Sequence, residues 1–135
     1  MKKLLLILFS FFLLAGCKDQ GVSPVDDSIM LDGSINGKEM VTGLDYRFRL
    51  ELEVLADAGF QWDCSFSDSS VVQLDRVSYR SGSTTYPPPP GGSVFETFYF
   101  KTNAQGSCTV RLIHHQAWMP NVPPRDTVSF QVYVR

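Results

Sequence analysis

The stretch Gly59-Phe60-Gln61-Trp62-Asp63-Cys64-Ser65-Phe66 alternates apolar and polar side chains almost one for one. Successive side chains of a β-strand point to opposite faces, so Phe60, Trp62, Cys64 and Phe66 share an inner face while Gln61, Asp63 and Ser65 stay outside. A helix would scatter the same residues around its axis. The two-residue period recurs in Tyr46–Val54, where Tyr46, Phe48, Leu50, Leu52 and Val54 alternate with Arg47, Arg49, Glu51 and Glu53. It recurs again in Cys108, Val110, Leu112 and His114, and in Val128, Phe130, Val132 and Val134. Val71–Tyr79 changes parity between Leu74 and Val77, which predicts a β-bulge near Asp75-Arg76. Val94–Thr102 reads as an aromatic strand with Phe98 and Phe100 inward. Ser28–Leu31 reads as a first edge strand, and Met40–Thr42 as another short one.

Turn residues punctuate these runs: Asp32-Gly33, Asn36-Gly37, Asp68-Ser69-Ser70 and Asn103-Ala104-Gln105-Gly106. Two connections are long, Ser81–Ser93 with Pro87–Pro90 and Gly91-Gly92, and His115–Arg125 with Trp118. The four prolines favour an extended polyproline stretch and the glycines permit a sharp return. Helical periodicity is absent after the first residues. Six or seven strands at short spacing predict an all-β fold, an immunoglobulin-like antiparallel β-sandwich of about seven strands.

The amino terminus is different in kind. Lys2 and Lys3 precede an apolar run, Leu4–Leu14, too short to span a bilayer and typical of a secretory signal. Leu14-Ala15-Gly16-Cys17 then resembles the lipobox of bacterial lipoproteins, which implies cleavage before Cys17 and acylation of its sulfur. The expected organisation is a signal peptide at 1–16, a lipidated cysteine and flexible polar tether at 17–27, and one domain at 28–135. Such a protein sits in the cell envelope, held to a membrane. Loss of residues 1–16 removes two lysines and takes the formal charge from −2 to 10 − 14 = −4. With no basic stripe, nucleic acid is not an expected partner.

Cys64 and Cys108 both lie on the apolar parity of their strands. In an oxidising compartment two alternatives stand. A disulfide would close a loop of 108 − 64 = 44 residues, which on chain entropy is worth about 4 kcal/mol. Otherwise both are buried free thiols packed as small hydrophobes. His114 and His115 are adjacent, so on a strand they face opposite sides and cannot chelate one ion together. No metal-ligand spacing, nucleophile elbow or phosphate-cradling glycine loop is present. The expectation is a monomer without cofactor or metal, and not an enzyme.

Function then falls to the loops Ala56–Gly59, Ser81–Ser93 and His115–Arg125. Trp118 either projects as a binding anchor or folds back over the core. From about Val41 to Arg135 the chain resembles the chagasin-like inhibitors of papain-type cysteine peptidases. The resemblance rests on Gly59-Phe60-Gln61-Trp62, on Gly91-Gly92, on Trp118, and on the final strand Asp126–Val134. It implies a sandwich whose three loops form a wedge that enters the peptidase cleft. The implied contact residues are Ala56, Asp57, Ala58 and Gly59; Pro90, Gly91 and Gly92; and Gln116, Ala117 and Trp118. Three positions depart from the family pattern. Ala56-Asp57-Ala58 replaces Asn-Pro-Thr-Thr, Pro89 stands at the first glycine of Gly-x-Gly-Gly, and Gln116-Ala117 replaces Arg-Pro. The alternative is an immunoglobulin-like envelope module that binds another protein or a glycan without inhibiting a peptidase.

Overall fold

The computed structural model describes residues 28–55, 58–87 and 89–135. The expected signal peptide, Cys17, the expected tether, Ala56 and Asp57 lie outside the described residues. Eight strands form: β1 (Ile29–Leu31), β2 (Glu39–Thr42), β3 (Arg47–Val54), β4 (Phe60–Phe66), β5 (Val72–Ser81), β6 (Val94–Thr102), β7 (Gly106–Gln116) and β8 (Asp126–Val134). They make two four-stranded sheets, ordered β1-β3-β6-β5 and β2-β8-β7-β4. The all-β sandwich is therefore as expected, with one strand more.

The core is the set of inward parities read from the sequence. Phe48, Leu50, Leu52 and Val54 of β3 meet Phe98 and Phe100 of β6; from the other sheet come Trp62, Cys108, Val110, Leu112, Val128, Phe130, Val132 and Val134. Phe48 stacks on Phe100 with ring centroids 5.0 Å apart, and Phe130 meets Phe48 edge-on at 6.3 Å. The register of β5 on β6 slips between Leu74 and Arg76, so the parity change is a bulge.

One expectation is corrected, and one open alternative is decided. The sandwich is not wholly antiparallel, because β1 runs parallel to β3 and β2 parallel to β8. The cause is a single 3₁₀ turn, Gly33–Ile35, capped by Asp32, whose carboxylate accepts from Ser34 N–H at 2.8 Å. The chain rises along one sheet, crosses over the open side of the sandwich at this turn, and descends along the other. The alternative concerns the cysteines. Both are free thiols, Cys108 buried and Cys64 half-buried. Cys64 lies opposite Leu112, four residues beyond Cys108 on β7; that is roughly 13 Å of strand. A disulfide needs Cα atoms within about 7 Å, so this register forbids one. Burial, and secondarily the neighbouring Cys108, pushes the Cys64 thiol up to about 12, which keeps it protonated and unreactive.

Strand direction fixes which loops are neighbours. Val94 pairs with both Val54 and Ser81, Phe60 pairs with Gln116, and His114 pairs with Asp126. The end of β3, the start of β4, the end of β5, the start of β6, the end of β7 and the start of β8 therefore share one pole. All three long or functional connections emerge there.

Candidate functional site: three loop tips at one pole

The first loop is closed on itself by the Leu55 carbonyl, which accepts from both Ala58 N–H and Phe60 N–H at 3.2 Å. Gly59 sits at φ +71°, the left-handed region that favours glycine. Directly above it lies the indole of Trp118. A Cβ on residue 59 would fall 1.8 Å from Trp118 Cη2, so glycine alone lets the ring lie on the backbone. Trp118 stays 63% exposed. It neither dives into the core nor projects alone; it roofs the first loop with one face and offers the other to solvent.

Gln116 braces the same junction. Its Nε2 donates to the Ala58 carbonyl at 2.7 Å. The residue is the last of β7, not part of the loop, so the third loop is Ala117–Arg125 and shorter than expected. That loop is built of turns: Met119 N–H donates to Gln116 O at 3.0 Å, Val122 N–H to Met119 O at 3.1 Å, and Arg125 N–H to His114 O at 2.8 Å. Met119 and Val122 are exposed beside Trp118, two apolar side chains that the sequence reading passed over among the prolines. A cavity of about 170 Å³ lies under the loop, lined by Phe60, Gln116, Met119, Val122 and Arg125 among others.

The second loop shares the pole but not this contact. It is pinched at its base where Gly82 N–H donates to Ser93 O at 2.6 Å, and Ser93 Oγ bonds the Glu53 carboxylate. The chain reverses at Pro89–Gly92, with Gly92 N–H donating to Pro89 O at 3.2 Å and Gly91 at φ +75°. Pro90 and Gly91 are exposed there and Gly92 is half-buried. Tyr86, not singled out from sequence, is 97% exposed on this loop. Ala58 and Gly59, Pro90–Gly92 and Ala117-Trp118 are thus at one pole, while Gln116 is a brace, not a tip.

Beneath the tips is a rigid base. Trp62 is buried and its Nε1–H donates to the Glu53 carbonyl at 2.9 Å, tying β4 to β3 just below the first loop. His114 stacks on Trp62 at 4.6 Å and tilts against Phe60 at 5.1 Å. Its neighbour His115 faces outward and meets Asp63 at 2.6 Å, so the two histidines do take opposite sides. His114 Nε2 is buried with no hydrogen-bond partner. Burial, and secondarily Arg125, holds the ring below the usual histidine range, with Asp126 opposing and His115 adding to the effect. The unfolded chain takes up this proton near pH ~6.5, the folded one only at lower pH. Stability is thus full above that value and is lost as pH falls through the interval beneath it, at no more than about 1.4 kcal/mol per pH unit. Urea melts from pH 7.5 downwards should show this decline, and His114→Phe, which keeps a ring against Trp62, should remove most of it. An unchanged slope in the variant would assign the decline elsewhere.

Among the described residues no group of three His, Cys, Asp or Glu side chains could hold a metal ion. The model of the chagasin family peptidase inhibitor I42 matches residues 43–132. The sandwich is also similar to three solved structures. One is the cysteine protease inhibitor EhICP2 of Entamoeba histolytica, with TM-score 0.70 and 13% identity over 79% of this chain and 95% of that one. Another is Amebosin, with TM-score 0.62 and 15% identity over 80% of this chain and 98% of that one. The third is PbICP-C, solved in complex with falcipain-2, with TM-score 0.55 and 13% identity over 80% of this chain and all of that one, 100%. No curated protein matches the sequence. The family match covers two thirds of the sequence and takes in six of the eight strands wholly or in part, with all three tips. The chain belongs to the chagasin family of peptidase inhibitors.

Proposed function

We propose that this protein is a lipid-anchored inhibitor of papain-like cysteine peptidases that fills the active-site cleft with its three tips. The single observation that supports this best is the roof of Trp118 on Gly59 at the pole where the second loop also emerges. It makes an edge of backbone and indole beside which the second loop emerges. Inhibition would be occlusion without covalent chemistry. The first loop lies across the nucleophile, where Ala58 presents only a methyl group. The Pro90–Gly92 turn lines one wall and Trp118 the other. The loops are closed by their own hydrogen bonds, so little conformational freedom is lost on binding. Acylation at Cys17 would hold the domain to a membrane of the cell envelope as a monomer.

The test is titration of papain with the mature protein. Activity should fall linearly to one equivalent, return on dilution, and be protected by substrate. Papain alkylated at its cysteine should still bind. One observation favours the second reading, an immunoglobulin-like module for another protein or a glycan. Gln116 is spent on Ala58, so the reach of the Arg-Pro pair it replaces is missing. Full activity at high micromolar protein, across several papain-like peptidases, would select that reading.

A further inference from the structure

We propose that the third loop carries a socket beside Trp118, walled by Met119 and Val122 over Phe60, which receives one apolar side chain from the rim of the peptidase cleft. This deepens the reading of the three tips as a peptidase wedge and rests on it.

Two turns in succession build the socket. Met119 N–H closes the first on Gln116 O at 3.0 Å, and Val122 N–H closes the second on Met119 O at 3.1 Å. The two ends of such a turn have Cα atoms within about 7 Å, so Met119 and Val122 stand side by side. Both are open to solvent, at 43% and 52% exposure. Pro120, Pro123 and Pro124 restrict the backbone between and after them. With Trp118, they make three large apolar side chains exposed within five residues. Single apolar side chains are ordinary on a surface, whereas a cluster of this density marks a contact.

The cavity of about 170 Å³ lies beneath them, and the half-buried Phe60 is part of its lining. Sites for whole small molecules run from about 300 to 1,000 Å³, so this hollow takes a single side chain. Its polar lining is already engaged. Gln116 Nε2 donates to the Ala58 carbonyl at 2.7 Å, His115 Nε2 meets Asp63 at 2.6 Å, and the Arg125 guanidinium lies over the Phe60 ring at 5.6 Å. What the hollow offers a guest is therefore apolar surface. A polar guest would give up water without replacing its hydrogen bonds. The occupant is an aliphatic or aromatic side chain.

Continuity decides whose side chain it is. The chain belongs to a family of peptidase inhibitors. Trp118 faces the first loop across Gly59, and Met119 follows it directly in the sequence. A peptidase that closes on the indole has its rim over the next turn. The socket is held by backbone hydrogen bonds before the partner arrives, so filling it orders little.

The experiment measures inhibition constants and dissociation rates against whichever of several papain-like peptidases the unsubstituted mature protein holds most tightly. Val122→Thr keeps the shape of one wall and adds a hydroxyl; Met119→Ser empties the other. Each should raise the inhibition constant about ten- to a hundredfold, the worth of burying one large apolar side chain. The change should lie in the dissociation rate. Melting temperatures should stay level, because both side chains are exposed. The double variant should be scarcely worse than Met119→Ser, since one guest is lost, whereas Met119→Ser and Trp118→Ala should multiply. Unchanged inhibition in both single variants, with Trp118→Ala still strongly impaired, overturns the socket and leaves the wedge standing. Tyr86 projects at 97% exposure, so a second copy could supply the guest. A dimer on sedimentation that Val122→Thr and Tyr86→Ser each dissolve overturns the proposal in favour of that copy. An unsubstituted protein that inhibits none of the peptidases overturns the wedge, and the socket with it.

Discussion

Gly59→Ala is expected to weaken inhibition of a papain-like peptidase about a hundredfold while leaving the domain folded. The left-handed backbone costs an alanine about 1 kcal/mol, which a domain of this size survives. The larger effect is local. A methyl group at this position would fall inside the Trp118 ring, so the indole must leave. The edge loses its roof and one wall together. Trp118→Ala should produce a loss of the same order, since a central tryptophan in an interface commonly carries 2–4 kcal/mol, roughly 30- to 1,000-fold. Both substitutions remove one platform, so the double variant should be scarcely worse than either single one. Inhibition constants for the three variants, with melting temperatures beside them, are the measurement. Additive losses would mean that Gly59 and Trp118 act on the enzyme separately.

The second large effect is on stability. Trp62→Ala should cost about 3–5 kcal/mol, the range for removing a large buried aromatic. That is a sizeable share of the 5–15 kcal/mol typical of a whole domain. The melting temperature should fall by roughly 15–30 °C. Two further losses accompany the cavity. The Glu53 carbonyl forfeits its indole donor, and His114 loses the ring against which it stacks. Trp62→Phe separates these contributions. It keeps an aromatic face for His114 and deletes the N–H with part of the ring volume, so about 1–3 kcal/mol should be lost, less than for alanine. A loss of less than about 1 kcal/mol for Trp62→Ala, read from denaturant melts, would show that the β3–β4 tie is not a structural support of the tips.

The sandwich was legible because parity is a local property. Each of Phe48 to Val54, Cys108 to His114 and Val128 to Val134 declares its own inner face, and the bulge shows as a slip in that parity. Register is not local. Cys64 and Cys108 share the correct face, yet the offset of β4 on β7 separates them; nothing within either strand encodes that offset. The same holds for the parallel edges. Ile29–Leu31 and Glu39–Thr42 read correctly as short strands, but their direction follows from the seven-residue crossover 32–38, built on the 3₁₀ turn Gly33–Ile35. At the site, Gly59 and Trp118 could be named from the resemblance. Their contact could not, because it joins residues 59 positions apart in the sequence. Gln116 was assigned to a tip by its place beside Ala117, whereas its side chain turns back to Ala58.

Of the four strands at the margins of the sheets, the two long ones, β5 and β4, bear on how such a protein behaves when copies meet. A margin with open amide groups invites a neighbouring molecule to zip on. β5 interrupts that invitation with its bulge, and with Arg76 and Arg80 lying over Tyr99 and Phe95. β4 carries the carboxylate of Asp63, held by His115 Nε2 at 2.6 Å. Neither long margin offers a flat template on which a second copy could zip.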